Sequence, residues 1–399
     1  MRRTNRIIPT YTGDVSGACS ALYELGGMVV IHDPSGCNST YNTHDETRWY
    51  DQDSLIFITG LTERDAVLGN DDKLVRDVVD AANELQPRFV ALCNSPIPFI
   101  NGTDFRAICK LVERACGIPC FYVRTNAMHD YVVGGGNALA ALAERFVEEN
   151  RPVRPGTANI LGATPLDLGV AGSDATLRAF VRSAGFEVVS CWAMGSTLDE
   201  LAHAGEAAVN LVVSALGLPV AKYLRERFGT PYVVGMPVGA LSGERAGDAW
   251  GRRLAGALAR SAESGACAWP ARDRHAVSKP GLGTNAAEGS AWALVGDPVV
   301  MGSVAGALAS VGVSSTRILC PLEADRELLG PDDACVEGEE GVEEALVGVA
   351  HMVADKLYAP IVPEGCALHA LPHQAFSGRN SWRHSCDIAT LDVSRLVGK

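Results

Sequence analysis

Residues Met28 to Tyr41 read MVVIHDPSGCNSTY. Four apolar residues, Met28–Ile31, run into a Pro34-Ser35-Gly36 turn, and Cys37 stands where the next helix is expected to begin. Strand, tight turn and helix start are how an open α/β sheet presents functional groups at the carboxyl ends of its strands. A thiol at a helix N-terminus feels the positive end of the macrodipole, which favours the thiolate, the form that binds metal.

A second copy follows. Arg88–Leu92 (RFVAL) reads as a buried strand with Cys93 at its end, ahead of Asn94-Ser95-Pro96-Ile97-Pro98. An earlier thiol, Cys19, is assigned to the Gly/Ser-rich turn GDVSGACS, just before a helical run over Ala21–Gly26. The set is Cys19-x17-Cys37-x55-Cys93. If the strands ending at residues 31 and 92 are parallel neighbours, the thiols share one sheet edge. Three convergent thiolates suit a soft metal or an iron–sulfur cluster. Three buried cysteines acting as small hydrophobes are the alternative. Spacing leaves both open; the turn-like settings favour ligation.

The 399 residues, 47% of them hydrophobic, suffice for two or three domains with their own cores. A net charge of −13 makes nucleic acid and anionic membranes poor partners. Twelve cysteines, with a polar and basic Met1–Ile8 in place of a signal peptide's apolar stretch, point to a reducing, cytoplasmic setting. No apolar run approaches the length of a membrane span.

Along the chain, candidate strands (Met28–Ile31, Leu55–Thr59, Phe89–Leu92, Phe121–Arg124) alternate with helical patterns over Asp71–Leu85, Asp104–Cys116 and Gly136–Glu149. Arg151–Gly156, with two prolines and a glycine, reads as a linker. A second unit alternates in the same way. Its strands are Ala158–Leu161, Glu187–Ser190, Val209–Val213 and Tyr232–Gly235, and its helices Thr176–Ala184, Leu198–Ala207 and Val220–Phe228. Residues 276–290 mark another boundary. Beyond them come a strand at Trp292–Val295, a helix at Val300–Val311 and strands at Arg317–Leu319 and Ala359–Val362. The expected fold class is α/β: three Rossmann-like βαβ domains with parallel sheets, over residues 1–155, 156–285 and 286–399.

No G-x-x-x-x-G-K-[ST] loop occurs, so ATP hydrolysis requires another polypeptide. H-E-x-x-H and paired C-x-x-C motifs are missing too. Gly281–Ala286 imitates a dinucleotide fingerprint but follows no strand. Cys116 and Cys120 are read as core.

The same residues carry a resemblance. His32–Cys37 (HDPSGC) resembles the H-G-P-x-G-C signature of nitrogenase component 1 proteins, a family that includes the catalytic subunits of dark-operative protochlorophyllide reductase, chlorophyllide reductase and nickel-sirohydrochlorin reductive cyclase. Thr59–Gly69 is similar to the family's T-x-x-x-E-x-D-x-V-x-G segment, and Cys93–Asp104 to its third-cysteine region. Gly195–Leu201, Ala208–Val212, Phe228–Pro231 and Gly296-Asp297-Pro298 resemble parts of its later domains.

The resemblance implies three βαβ domains, with Cys19, Cys37 and Cys93 as one subunit's ligands to an iron–sulfur cluster at a subunit interface. A [4Fe–4S] cluster is favoured and [8Fe–7S] is the alternative. Three thiolates per chain become six around a two-fold axis, so a homodimer, or a heterodimer with a related subunit, is expected. It also implies a nitrogenase iron protein-like ATPase as electron donor, and a tetrapyrrole or related macrocycle as substrate in a cavity between the domains. The expected activity is that of a reductase catalytic component; a scaffold for metallocofactor assembly is the alternative.

Two departures qualify it. Asp33 replaces the signature glycine and is read as a solvated turn residue, with ligation or tuning of the potential as alternatives. Ser214 stands where molybdenum nitrogenase has the cysteine holding its active-site cofactor, which argues against dinitrogen reduction.

Cys366, His369, His373 and His384 crowd the C-terminal segment. His369 and His373 are candidates for an axial position on a metal tetrapyrrole or for proton donation; capping and packing of a tail is the plain alternative. His32 is expected to make a local hydrogen bond. Glu63 is expected to brace the cysteine loops or to start the following helix.

Overall fold

Thirteen short strands make three parallel sheets in a computed structural model that describes residues 5–10, 12–34, 46–240, 245–272, 291–313, 315–380 and 384–397. The first sheet holds β1 (Met28–His32), β2 (Leu55–Ile58), β3 (Val90–Asn94) and β4 (Cys120–Val123) in the order β2-β1-β3-β4. The second holds β5 (Arg154–Leu161), β6 (Glu187–Cys191), β7 (Ala207–Val212) and β8 (Tyr232–Val234), ordered β6-β5-β7-β8. The third holds β9 (Trp292–Val295), β10 (Thr316–Cys320), β11 (Ala334–Cys335), β12 (His351–Ala354) and β13 (Ala367–Ala370), ordered β11-β10-β9-β12-β13. Central strands such as β3 (VALCN) and β9 (WALV) are buried throughout, as continuous apolar runs covered on both faces should be.

Helices fill the connections of the first unit: α1 (Asp14–Leu22), α2 (Glu63–Leu68), α3 (Asp71–Leu85), α4 (Pro96–Asn101), α5 (Phe105–Cys116) and α6 (Tyr131–Phe146). Those of the second are α7 (Pro165–Leu168), α8 (Asp174–Ser183), α9 (Leu198–Ala202), α10 (Leu218–Phe228) and α11 (Arg245–Ser264). The third has α12 (Pro298–Ser310), α13 (Gly338–Ala345) and α14 (Gln374–Ser377). Side-chain caps start many of them: Thr62 forms a capping box on α2, and Asp104, Asp130 and Asp297 cap α5, α6 and α12.

The structure departs from the sequence expectation in several places. Helix α6 starts at Tyr131, ahead of the three glycines Gly134–Gly136, not after them. These glycines serve packing: a Cβ on Gly134 would lie 1.7 Å from the Asp14 carbonyl oxygen, and one on Gly17 would lie 2.1 Å from that of Tyr131. Strand β5 begins at Arg154, inside the expected linker. The expected helix Leu198–Ala207 stops at Ala202, and Ala207 already belongs to β7. The expected strand Ala359–Val362 is instead part of a 3-10 turn, Lys356–Ile361, capped by Asp355 and containing Pro360. The strands of that region are β12 and β13, too short for alternation to announce. The boundary expected at 276–290 lies outside the described residues.

One apolar cluster runs without a break from α1 and β3 through α6 into β7, α10, β9 and β12, so the three units share a core. No helix among the described residues is long and apolar enough to cross a membrane.

Candidate metal centre

Strands β1 and β3 are parallel neighbours, with Ile31 opposite Cys93 and His32 opposite Asn94. The Ser95 hydroxyl ties the two strand ends together by donating to the His32 carbonyl at 2.7 Å. Cys93 is the penultimate residue of β3, not beyond its end, and is fully buried. Cys19 is inside α1 rather than in a turn. The Gly/Ser composition there serves close packing of α1 on α6, and Asp14 anchors the helix start by accepting the Asn126 and Ala127 N–H groups at 2.7 Å.

The two sulfurs are electrostatic neighbours. Burial pushes both thiols up, helped at Cys19 by Cys93 and Glu46 and at Cys93 by Asp14. A pair of thiolates is therefore unstable in this dry interior unless a cation compensates it.

Cys37 falls in residues 35–45, outside the described residues. The chain on either side of that segment is well placed. Upstream, Asp33 is buried, not solvated: its N–H donates to Thr59 Oγ1 at 3.3 Å and its carbonyl accepts from Leu61 N at 2.9 Å. The β2–α2 connection packs over it. Downstream, Arg48 is 1% exposed and grips Glu46 at 2.8 and 3.0 Å, Glu24 at 3.0 Å, and the carbonyls of Ser20 and Ala193 at 2.8 Å each. The Ser20 hydroxyl donates to Glu46 at 3.0 Å. Burial alone would raise the Glu46 carboxyl, but the Arg48 guanidinium outweighs it and holds the group below its ordinary value. Of the described flanks, β1 thus runs beside Cys93, and Glu46 bonds Ser20, the neighbour of Cys19. Glu46 and Arg48 escaped the sequence reading because nothing in THDETRWY separates a buried ion pair from a solvated one.

Cys19 and Cys93 are buried soft donors that feel one another's charge, a donor type that fits an iron–sulfur centre. No three His, Cys, Asp or Glu side chains converge on a metal position among the described residues. Cys37, the third cysteine of the expected set, lies outside them.

Around the carboxyl edge of the first sheet, α2 and α4 form an apolar rim. Val67, Leu68 and Ile100 are 77%, 71% and 77% exposed, and Ile97 and Phe99 are exposed beside them. A cavity of about 500 Å³ opens there, lined by His32, Leu61, Asp65, Pro98 and Asp104. His32 Nδ1 pairs with Thr59 Oγ1 at 2.8 Å, a bond across to the end of the neighbouring strand rather than the local one expected, and burial lowers its pKa. Glu63 is the first residue of α2.

The two C-terminal histidines are far apart in role. His369 lies on β13, its Nε2 3.1 Å from His351 Nδ1, and both rings stack on Trp292. Trp292 and His351 open β9 and β12, while His369 is the third of the four residues of β13, opposite Val353. His373 is 3% exposed at the junction of the three units. Its N–H donates to Asp355 at 2.7 Å, and its Nε2 lies 3.5 Å from Tyr131 Oη and 3.6 Å from Asp167 Oδ1. Tyr131 donates to Asp167 at 2.6 Å. Asp167 Oδ2 and His373 Nδ1 have no partner among the described residues. Asp297 accepts from Ala215, Val299 and Val300 N–H groups at 2.9 Å, yet burial and the Asp167 carboxylate push its pKa up to about 7. Tyr131 and Asp167 carried no local motif, and Asp297 entered the sequence analysis only as part of Gly296-Asp297-Pro298, with no role attached. Cys366 is half-buried and His384 is exposed. Ser214 is buried and spends its hydroxyl on the Gly162 carbonyl at 2.7 Å.

Residues 14–330 match the sequence family described as nitrogenase component 1 type oxidoreductase. The chain is 26% identical over 245 residues to the nitrogenase iron-molybdenum cofactor biosynthesis protein NifE of Clostridium pasteurianum, covering 56% of this chain and 51% of that protein. It is 25% identical over 230 residues to a light-independent protochlorophyllide reductase subunit of Synechococcus sp. (strain JA-3-3Ab), covering 54% and 45%. The chain thus spans about half the length of these curated relatives. Among solved structures, nitrogenase Cp1 at pH 6.5 superposes with a TM-score of 0.67 at 16% identity, over 100% of this chain and 93% of that one, a likeness of fold.

Proposed function

The chain belongs to the nitrogenase component 1 type oxidoreductase family, and from that premise we propose that it is the catalytic component of a nitrogenase-like reductase. Cys19, Cys37 and Cys93 hold an iron–sulfur cluster, [4Fe–4S] or, shared between subunits, [8Fe–7S]. When bound, such a cluster supplies one-electron storage and relay. The carrying observation is that Cys19 and Cys93 are buried neighbours while, of the described flanks of Cys37, β1 runs beside Cys93 and Glu46 bonds the neighbour of Cys19.

A nitrogenase iron protein-like ATPase supplies the electrons, docking on the rim of Val67, Leu68, Ile97, Phe99 and Ile100. The nucleotide chemistry is assigned to that partner because these 399 residues contain no phosphate-binding loop motif. Two copies around a two-fold axis, or one copy with a related subunit, bring six thiolates to the interface. The substrate is a tetrapyrrole or related macrocycle, a class that rests on family likeness and on the protochlorophyllide reductase relative. Proton supply is assigned to the junction where Tyr131, Asp167, Asp297 and His373 meet; His373 is preferred to His369, whose ring is taken up by His351 and Trp292. Dinitrogen reduction is not proposed, since the Ser214 hydroxyl is occupied by main chain.

A second reading, assembly of a metallocofactor without turnover, is favoured by the relative named for cofactor biosynthesis. Anaerobic assays with an iron protein, ATP and a panel of tetrapyrroles separate the two. Multiple turnovers of a reduced macrocycle mark the reductase. Stoichiometric cluster transfer to an acceptor, with no reduced product, marks the scaffold and overturns the first reading.

A further inference from the structure

Strand β4 ends the first sheet, and no strand among the described residues pairs with its outer edge. Val90 N–H donates to the Pro119 carbonyl, so the odd-numbered residues of β4 face β3 and the even-numbered ones face out. The two ends of that outward row are capped by side chains. Cys120 N–H donates to Glu113 of α5 at 3.1 Å, and Asn137 of α6 donates to the Arg124 carbonyl at 2.9 Å. Between the caps, the Tyr122 N–H and C=O have no partner among the described residues.

This edge is the floor of a groove of about 630 Å³ walled by α5 and α6, with Tyr223 of α10 at one side. In a chain of net charge −13, the groove gathers Arg106, Lys110 and Arg124, all exposed and in no ion pair among the described residues. Arg145 also lines it but is paired with Glu113 at 2.8 Å, and Glu144 is an acid on the α6 wall.

We infer that the outer edge of β4 is a docking site for an extended, acidic segment of a partner protein, added to the sheet as a fifth strand. The floor selects an extended peptide, because only a main chain repeats donor and acceptor at the strand's own spacing. The walls select acidic side chains. Charge excludes pairing with a second copy, which would bring its own Arg106, Lys110 and Arg124 against the first set. A small anion satisfies the cations but not the row of main-chain groups.

The test uses the full chain, purified anaerobically, and fluorescein-labelled peptides about seven residues long that alternate Glu and Val. Controls carry Lys in place of Glu, or Pro in place of the central Val. The Glu peptide should bind by anisotropy, the Lys and Pro peptides should not, and binding should slow hydrogen exchange at the Tyr122 amide. Arg106→Ala with Lys110→Ala and Arg124→Ala should weaken binding about ten-fold, while Glu144→Gln should strengthen it. Equal binding of the Pro peptide would reduce the groove to a charge-only anion site. If no peptide binds saturably, the cations merely guard an edge strand. Either outcome overturns the proposal.

Discussion

Asp297 is a carboxyl that the fold keeps partly protonated. Its pKa rises from 3.8 to about 7 through burial, aided by Asp167. As pH rises across that window the unfolded chain gives up a proton that the folded chain retains, so stability present below the lower value is lost towards the upper one. Asp297→Asn should remove this falling limb. In urea titrations from pH 4 to 8, the stability of the wild type relative to the variant should decline with pH; parallel curves would contradict the assignment. Arg48→Ala should cost about 3–5 kcal/mol, because it strands the Glu46 carboxylate in the interior. Urea unfolding checks it, and a loss under 1 kcal/mol would show the pair to be solvated. At this scale the sequence was informative where a feature is local: it set Cys93 at the carboxyl end of a buried strand, one residue short of where β3 stops, and it allowed Glu63 as the start of a helix. It was silent on Tyr131, Asp167, Glu46 and Arg48, whose burial is decided by chain segments far away in sequence. It misread Asp33, taking a carboxylate next to a turn as wet.

Among the elements, α1 and α6 decide where Cys19 sits. Their main chains approach at glycines, and Gly134→Ala would force a Cβ to within 1.7 Å of the Asp14 carbonyl. The variant should lose about 1–3 kcal/mol, read as a lowered urea midpoint, and its iron content should fall because Cys19 moves with α1. A wild-type midpoint would mean that the helices part without cost. The rim on α2 and α4 makes a different prediction. Leu68→Asp with Ile100→Asp changes exposed side chains only, so stability should hold within about 0.5 kcal/mol. Electron transfer from the proposed ATPase partner should drop at least ten-fold, roughly the effect of losing one or two apolar anchors. Unchanged transfer would move the docking face elsewhere. Helix α3 was legible to the residue from its periodicity, as was β9 from its apolar run. Helix α6 was not, because glycines read locally as a break, whereas here they admit a neighbouring helix. The strand expected at Ala359–Val362 failed for a related reason: an apolar run beside Pro360 was free to follow the Asp355 cap into a 3-10 turn.

Over the whole molecule, alternation of short apolar runs with helical stretches was enough to anticipate three parallel sheets. What it did not anticipate is how far the units depend on one another. The main apolar cluster crosses all three, Arg48 reaches from the first unit to the Ala193 carbonyl of the second, and Asp297 of the third caps the Ala215 N–H of the second. Such contacts leave no periodic trace, since they join segments whose spacing in sequence is arbitrary. They matter here because the proposed centre and the proposed proton junction both need the units held in fixed register. The central claim is that sulfurs from α1, β3 and the segment between β1 and β2 share one iron–sulfur cluster. Anaerobic purification, iron and sulfide analysis and EPR of the dithionite-reduced protein test it most directly, with Cys19→Ser, Cys37→Ser and Cys93→Ser each compared with Cys320→Ser, a buried thiol of the third sheet. The account predicts a cluster signal in the wild type and in Cys320→Ser, and its loss or marked depletion in each of the other three. Iron and sulfide missing from the wild type, or retained undiminished in those three, would contradict it.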